Sequence, residues 1–446
     1  MSAEPRVISK APAAADLPGE NRGPAVSRRW VWGYLAVALP ALVLAGDAAL
    51  AFARGWQPRF RIDALVLIGV AAWLAGVTAP LVLPAGRRFY ARCGAKLIAL
   101  AASVCFAWLV GEWAVGAALA HIGDPFHCWR PGITMVHRPN PQILRGVGPE
   151  ATANYNDWGV RGTNPPARRE AYRILCVGGS STACTYLDDA KSWPQLLATR
   201  LHGDDPAHEY WVGNIGIPGF RMREHLRFVE QSPLVDELDC LVVQAGMNDF
   251  MTCLLGPQPA PPVWTHSNVR QLARTLASRI TAVDTLVEDT GGTVYSRRRA
   301  VRQAARIDNA EPDLTDGLDR FERELNELVD AARGRNVRLV LATQPALWRP
   351  DLDAENAALL WFGQMGDGRF LSVGQLRAGM DRFNQLLRRV CRQRGAELVD
   401  LSELDGDPAM FYDDCHFTEL GAERVARDIA DWFVLHPAYP PKETAR

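Results

Sequence analysis

Apolar residues are spread unevenly along this chain. Three stretches of membrane-spanning length fall within the first 120 positions: Trp30 to Phe52 with one charge, Asp47; Ala64 to Leu83 with none; and Leu97 to Ala120 with one, Glu112. About 20 helical residues rising roughly 1.5 Å each cover the roughly 30 Å hydrocarbon slab, and a helix satisfies its own backbone there. The pattern predicts three transmembrane helices, at about 30–52, 64–83 and 97–120, the first weakened by Asp47 and Pro40. Beyond residue 171 the pattern becomes short apolar runs ending at Gly or polar residues: Arg173 to Val177, Tyr210 to Ile215, Leu238 to Gln244, Val337 to Thr343 and Glu397 to Leu401. Buried parallel strands read this way. Between them a 3–4 spacing marks amphipathic helices at Leu318, Phe321, Leu325, Leu328, Val329 and Ala332, again from Leu376 to Val390, and again from Leu420 to Phe433. Alternating strand and helix predict an α/β fold, a doubly wound three-layer sandwich with a parallel sheet over 172–437. Its reactive groups should gather outside the carboxyl ends of the strands.

The remaining segments punctuate this plan. Residues 1–29, rich in Ala, Pro and Gly, read as a disordered tail, and 438–446 as a second tail. Residues 121–171, with turn-forming Pro, Gly and Asn, read as a collar between membrane and globular domain. Residues 255–313 break the strand–helix rhythm with Pro257, Pro259, Pro261, Pro262 and the basic Ser296 to Arg299 stretch, and read as an insertion that is either a lid or surface decoration. Basic residues around the spans (Arg22, Arg28 and Arg29 before the first; Arg87, Arg88, Arg92 and Lys96 in the second loop; Arg54, Arg59 and Arg61 in the first) favour an inside amino terminus. With three spans the large domain then lies outside the cytoplasm. A cleaved signal ending near Ala49 to Ala51 would leave two spans and the same outcome. Asp47 and Glu112 raise a transport role, but three helices enclose no pathway unless they oligomerise.

Charge narrows the function further. The 446 residues carry 49 Lys+Arg against 50 Asp+Glu, a net charge of −1. No global basic field exists to hold a phosphate backbone, and nucleic acid is disfavoured as a partner. The mean hydropathy of −0.09 averages an apolar amino-terminal part with a more polar remainder. Nine cysteines show no CxxC pair, which argues against a metal cage; a disulfide among Cys184, Cys253 and Cys415 stays open.

Candidate chemistry sits at the strand ends. The first strand runs into Gly178-Gly179-Ser180-Ser181-Thr182, a small turn that leaves a hydroxyl at the sheet edge. Such turns also merely connect elements or bind phosphate. This one lacks the final Gly of a G-x-S-x-G elbow and the Lys of a P-loop. The second strand runs into Asn214 to Gly219, the third into Gly246-Met247-Asn248-Asp249, and Asp413-Asp414-Cys415-His416 precedes the last helix. A serine hydroxyl needs an imidazole to take its proton, the imidazole a carboxylate to fix its tautomer, and the oxyanion rigid N–H donors. Each type is present.

In these four blocks the sequence resembles the SGNH hydrolases, or GDSL-type esterases and lipases, over about 172–437. The resemblance implies an SGNH/flavodoxin-like sandwich. It implies Ser180 as nucleophile, His416 as base and Asp413 as its orienting acid, with Ser180, Gly219 and Asn248 forming the oxyanion hole. Asn156-Asp-Trp-Gly159-Val-Arg161-Gly162 is similar to an element that precedes this domain in envelope-associated bacterial members, and is expected to pack the collar onto the sheet. The chain departs from the family's name motif in having Gly179 where Asp precedes the serine, which puts helix-start hydrogen bonds in doubt but no role in the triad. Asp249 and Asp414 are rival carboxylates, Asp249 being expected to pin its own turn. The resemblance implies a membrane-anchored serine esterase in the bacterial inner membrane, multi-pass, with its domain on the periplasmic side. Expected substrates are glycan, lipid or small-molecule esters, O-acetyl carbohydrate first. No metal or organic cofactor is required. An O-acyltransferase using the same triad and a non-catalytic envelope scaffold are the alternatives.

Overall fold

The structure, a computed structural model, describes residues 28–56, 61–122, 129, 131–168, 170–256, 261–270, 272 and 292–437. Residues 1–27 of the expected 1–29 tail, the expected tail at 438–446, Cys128, and residues 257–260, 271 and 273–291 of the expected insertion lie outside the described residues. Two compact units are present: Met1–Glu112 with Ala260–Ser267, and Trp113–Pro259 with Asn268–Arg446.

The first unit contains α1 (Arg29–Ala53), α2 (Arg61–Thr78), which tightens into a 3₁₀ turn at Ala79–Val82, and the start of α3 (Pro84–Ile122). All three are long and apolar enough to cross a membrane. Pro40 does not end α1, which continues to Ala53. The basic segment expected as a second loop is instead helical. Pro84 opens α3, where its missing N–H costs nothing, and the 39 residues reach about 58 Å, well beyond the slab. A Cβ on Gly33 would stand 2.4 Å from the Tyr90 carbonyl oxygen and 3.1 Å from Gly94 Cα, so α1 and α3 touch backbone to backbone. The Trp73 indole donates to the Val37 carbonyl at 2.8 Å and the Tyr90 hydroxyl to that of Val77 at 2.7 Å. Both span acids find partners in the 260–267 segment: Asp47 accepts from the Val263 N–H at 2.7 Å, and Glu112 accepts from the Ser267 hydroxyl.

The second unit is built on five parallel strands, β3 (Tyr172–Gly178), β4 (Tyr210–Asn214), β5 (Cys240–Gln244), β6 (Arg338–Ala342) and β7 (Glu397–Val399), in the order β4-β3-β5-β6-β7. Every residue of β3 and β5 is buried, which requires cover on both faces. Two groups of helices supply it. α5 (Trp193–Asp204) packs with α11 (Glu419–Leu435), while α6 (Met222–Gln231), α9 (Thr315–Gly334) and α10 (Val373–Arg394) pack in series. Trp193, Trp348, Phe250, Phe321 and Phe383 fill the core. The collar holds one antiparallel pair, β1 (Thr134–His137) with β2 (Ala151–Asn154). The expected insertion contains α8 (Thr293–Ala304). Cys184, Cys253 and Cys415 are free thiols.

Candidate active site

β3 stops at two glycines for a steric reason. A Cβ on Gly178 would lie 2.1 Å from Thr182 Oγ1 and 2.8 Å from the Gln244 carbonyl oxygen, and one on Gly179 would lie 2.7 Å from Asn248 Nδ2. The Asn248 amide therefore occupies the room that a side chain at 179 would need, a physical reason for Gly179 here. The single turn α4 (Ser180–Ala183) follows, with Ser180 first and half-exposed.

Ser180 and His416, 236 residues apart in sequence, meet: the Ser180 hydroxyl donates to His416 Nε2 at 2.7 Å. His416 Nδ1 donates to Asp413 Oδ2 at 2.7 Å, which assigns the proton to Nδ1 and leaves Nε2 basic. Asp413 is completely buried, and its other oxygen accepts from the backbone N–H groups of Cys415 and His416 at 3.0 and 2.9 Å. The Trp361 indole also donates to Oδ2, at 2.9 Å. Burial pushes the Asp413 carboxyl up, but the charge of His416 and these donors outweigh it and hold the carboxyl below its ordinary value.

The rival carboxylates have other partners. Asp414 accepts from the Trp348 indole at 2.7 Å and from the backbone of Trp361 and Phe362 at 2.8 and 3.1 Å; burial, then the neighbouring Asp413 charge, push it to about 6. It thereby fixes the loop that presents Trp361. Asp249 does not pin its own turn but the start of α6, through the Met222 N–H at 3.2 and 3.3 Å, and burial pushes it to about 7.

On the opposite side, Asn248 stands at the start of α7 (Met247–Leu255) and donates to the Phe220 carbonyl at 2.7 Å. It touches the immediate neighbours of Ser180 and Gly219, namely Gly179 and Phe220. Gly219 has φ +87°, a conformation glycine adopts without strain. Among the described residues neither the Ser180 nor the Gly219 N–H makes a backbone hydrogen bond. All five residues singled out in the sequence thus lie around one turn.

Three further contributors, Trp361, Tyr295 and Arg299, were not marked by the sequence as belonging to the site. Tyr412 stacks on the His416 ring at 5.5 Å and 11°, and Tyr295 meets it edge-on at 5.8 Å. Tyr295 belongs to α8, and the same helix sends Arg299 to the carbonyls of Leu359, Ile143 and Tyr412 and Arg302 to those of Phe362 and Leu371. This part of the insertion is therefore laced to the site loops. The spacing 295, 299, 302 places the three on one helix face, a signal that was available but silent about the partner. Ligand atoms of Asp413, Cys415 and His416 lie within 4.8 Å of one another. Two of these groups are already bonded to each other, and burial pushes the Cys415 thiol well up, so the set suits proton transfer better than a cation.

The sequence model of the GDSL-like lipase/acylhydrolase family matches residues 174–429. No curated protein matches the chain. Among solved structures it is similar to an alpha/beta hydrolase from the metagenome of Lake Arreo, Spain, at 17% identity over 60% of this chain and 97% of that one, with a TM-score of 0.34. It is also similar to Axe2, an acetylxylan esterase from Geobacillus stearothermophilus, at 13% identity over 62% of this chain and 100% of that one, with a TM-score of 0.35.

Proposed function

The chain belongs to the GDSL-like lipase/acylhydrolase family and is a hydrolase of ester bonds, and from that premise we propose that it works through a Ser180 acyl-enzyme. His416 Nε2 takes the hydroxyl proton as Oγ attacks the acyl carbonyl. The N–H groups of Ser180 and Gly219 and the Asn248 amide hold the tetrahedral oxyanion, and His416 returns the proton to the departing alkoxide. Water, activated by the same imidazole, then releases the acid. Asp413 orients the ring and stabilises the imidazolium. The observation that carries the reading is the unbroken chain from Ser180 through His416 to Asp413, with both links at 2.7 Å.

We propose further that α1, α2 and α3 anchor the enzyme in a bacterial inner membrane with the esterase domain on the periplasmic side, and that it removes O-acetyl groups from envelope carbohydrate. Apolar length supports the anchor, the basic residues support the orientation, and the resemblance of the Asn156 to Gly162 element to envelope members supports the substrate class. The test uses the full chain in detergent. Wild type should react with a serine-directed fluorophosphonate, cleave short acetyl esters and release acetate from an acetylated glycan, while Ser180→Ala should do none of these. Turnover by Ser180→Ala at the wild-type rate sinks the nucleophile assignment. Acetyl transfer to a deacetylated glycan in place of acetate release makes the enzyme a transferase.

A further inference from the structure

The collar reaches the nucleophile turn through one side chain. Arg161 is 2% exposed, and its whole guanidinium is spent. Nε donates to Asp189 at 2.6 Å. Nη1 donates to the carbonyls of Ala183 and Cys184 at 2.7 and 3.0 Å, and Nη2 to those of Leu187 and Thr152 at 2.6 and 3.4 Å. The backbone of Arg161 pairs with Asn214 in both directions, and the Asn214 side chain donates to the Thr182 carbonyl at 2.8 Å while accepting the Gly216 N–H at 2.8 Å. Three consecutive carbonyls at the end of α4, those of Thr182, Ala183 and Cys184, are thus taken by these two residues.

We propose that Arg161 is a positioning residue for Ser180. The assignment rests on the reading of Ser180 as nucleophile and adds to it what holds the serine in place. α4 has only four residues, and a single helical turn has no stability of its own in water. Its end is further bent by Cys184, whose φ of +48° lies in the left-handed region. The orientation of the turn must therefore be imposed from outside. A rigid planar fork with five donors can grip several carbonyls at once, which an ammonium cannot. Asp189 balances the buried charge and is itself tied to the collar strand by the Asn154 N–H at 2.9 Å. Through Asn214 and Gly216 the same hub reaches the loop that carries Gly219, so both the attacking oxygen and the oxyanion donors take their bearing from it.

The test again uses full-length chain in detergent, well below its melting temperature. Displacing a reacting group by about 1 Å costs on the order of 10²-fold, so folded Arg161→Gln should label with fluorophosphonate and turn over about 10- to 100-fold more slowly, with the loss in kcat rather than KM. Arg161→Lys should recover part of the rate, and it carries the test if Arg161→Gln does not fold. Asp189→Asn keeps the fork on its carbonyls and should melt earlier yet label close to the wild-type rate. Wild-type labelling by folded Arg161→Gln or Arg161→Lys overturns the assignment. A rate for Asp189→Asn as low as that for Arg161→Gln also overturns it, because the loss would then follow stability alone. Failure of the wild type to label, or labelling that survives Ser180→Ala, removes the nucleophile reading and the assignment with it.

Discussion

The side of the site proposed to supply the base, Asp413 with His416, is buried and saturated with hydrogen bonds, whereas the proposed oxyanion side, from Ile217 to Met222, is mostly backbone and partly open. Asp413 is fully buried and receives N–H donors from Cys415, His416 and Trp361 in addition to the imidazole. His416 is 6% exposed between Tyr412 and Tyr295. Across the turn, Pro218 and Gly219 are exposed, and among the described residues nothing beyond Gly219 and its two chain neighbours lies within 4 Å of where a Cβ on Gly219 would stand. The difference suits the roles proposed for the two sides. Moving a proton requires groups held in one protonation state, which burial and charge partners set. Binding an oxyanion requires donors with fixed direction but no titration, and backbone N–H groups meet that need.

Short of removing the nucleophile, Asp413→Asn should bring the largest loss, about 10⁴-fold in kcat, because the amide cannot hold the imidazole in the required tautomer. Steady-state kinetics on a short acetyl ester would show it, and a loss under tenfold would erase the contrast between the two sides. On the oxyanion side Asn248→Ala removes one donor of three, and turnover should fall by about 10²- to 10³-fold with KM little changed. Trp361→Phe keeps an aromatic ring and deletes one donor to Asp413, a charge-assisted hydrogen bond, so kcat/KM should fall about tenfold. The sign of its pH effect is fixed. Asp413 loses a donor that holds its carboxyl low, so the carboxyl protonates at higher pH and the acid limb of the kcat/KM profile moves up. An unmoved acid limb would mean that Trp361 only fills space.

The parallel strands were legible because the central ones are buried on both faces and read as continuous apolar runs. Of the candidate site residues, Ser180, Gly219 and Asn248 were legible because each follows the end of such a run, and Asp413 and His416 because their block stands immediately before the last helix. The extent of α3 was not, since basic residues suggested a loop although nothing after Pro84 breaks a helix. Asp249 was read as local to its own turn, yet it reaches 27 residues back to Met222. Trp361, Tyr295 and the role of Arg161 were hidden for the same reason. Their partners lie 52, 121 and 22 residues away, and no periodicity encodes a contact across such gaps.

Taken alone, the amino-acid order determined the three apolar spans, the alternation that makes an α/β sandwich, and the residue types able to run ester chemistry. These follow from short-range pattern, which hydrophobicity and backbone geometry convert directly into local structure. Only the tertiary structure decided where Asp414 turns instead of the imidazole, why a side chain at position 179 would meet Asn248, and which side chains brace Asp413 and α4. Those outcomes depend on where distant backbone comes to rest after the core has packed, and a hydrogen bond is selected there by tenths of an ångström that no spacing along the chain records.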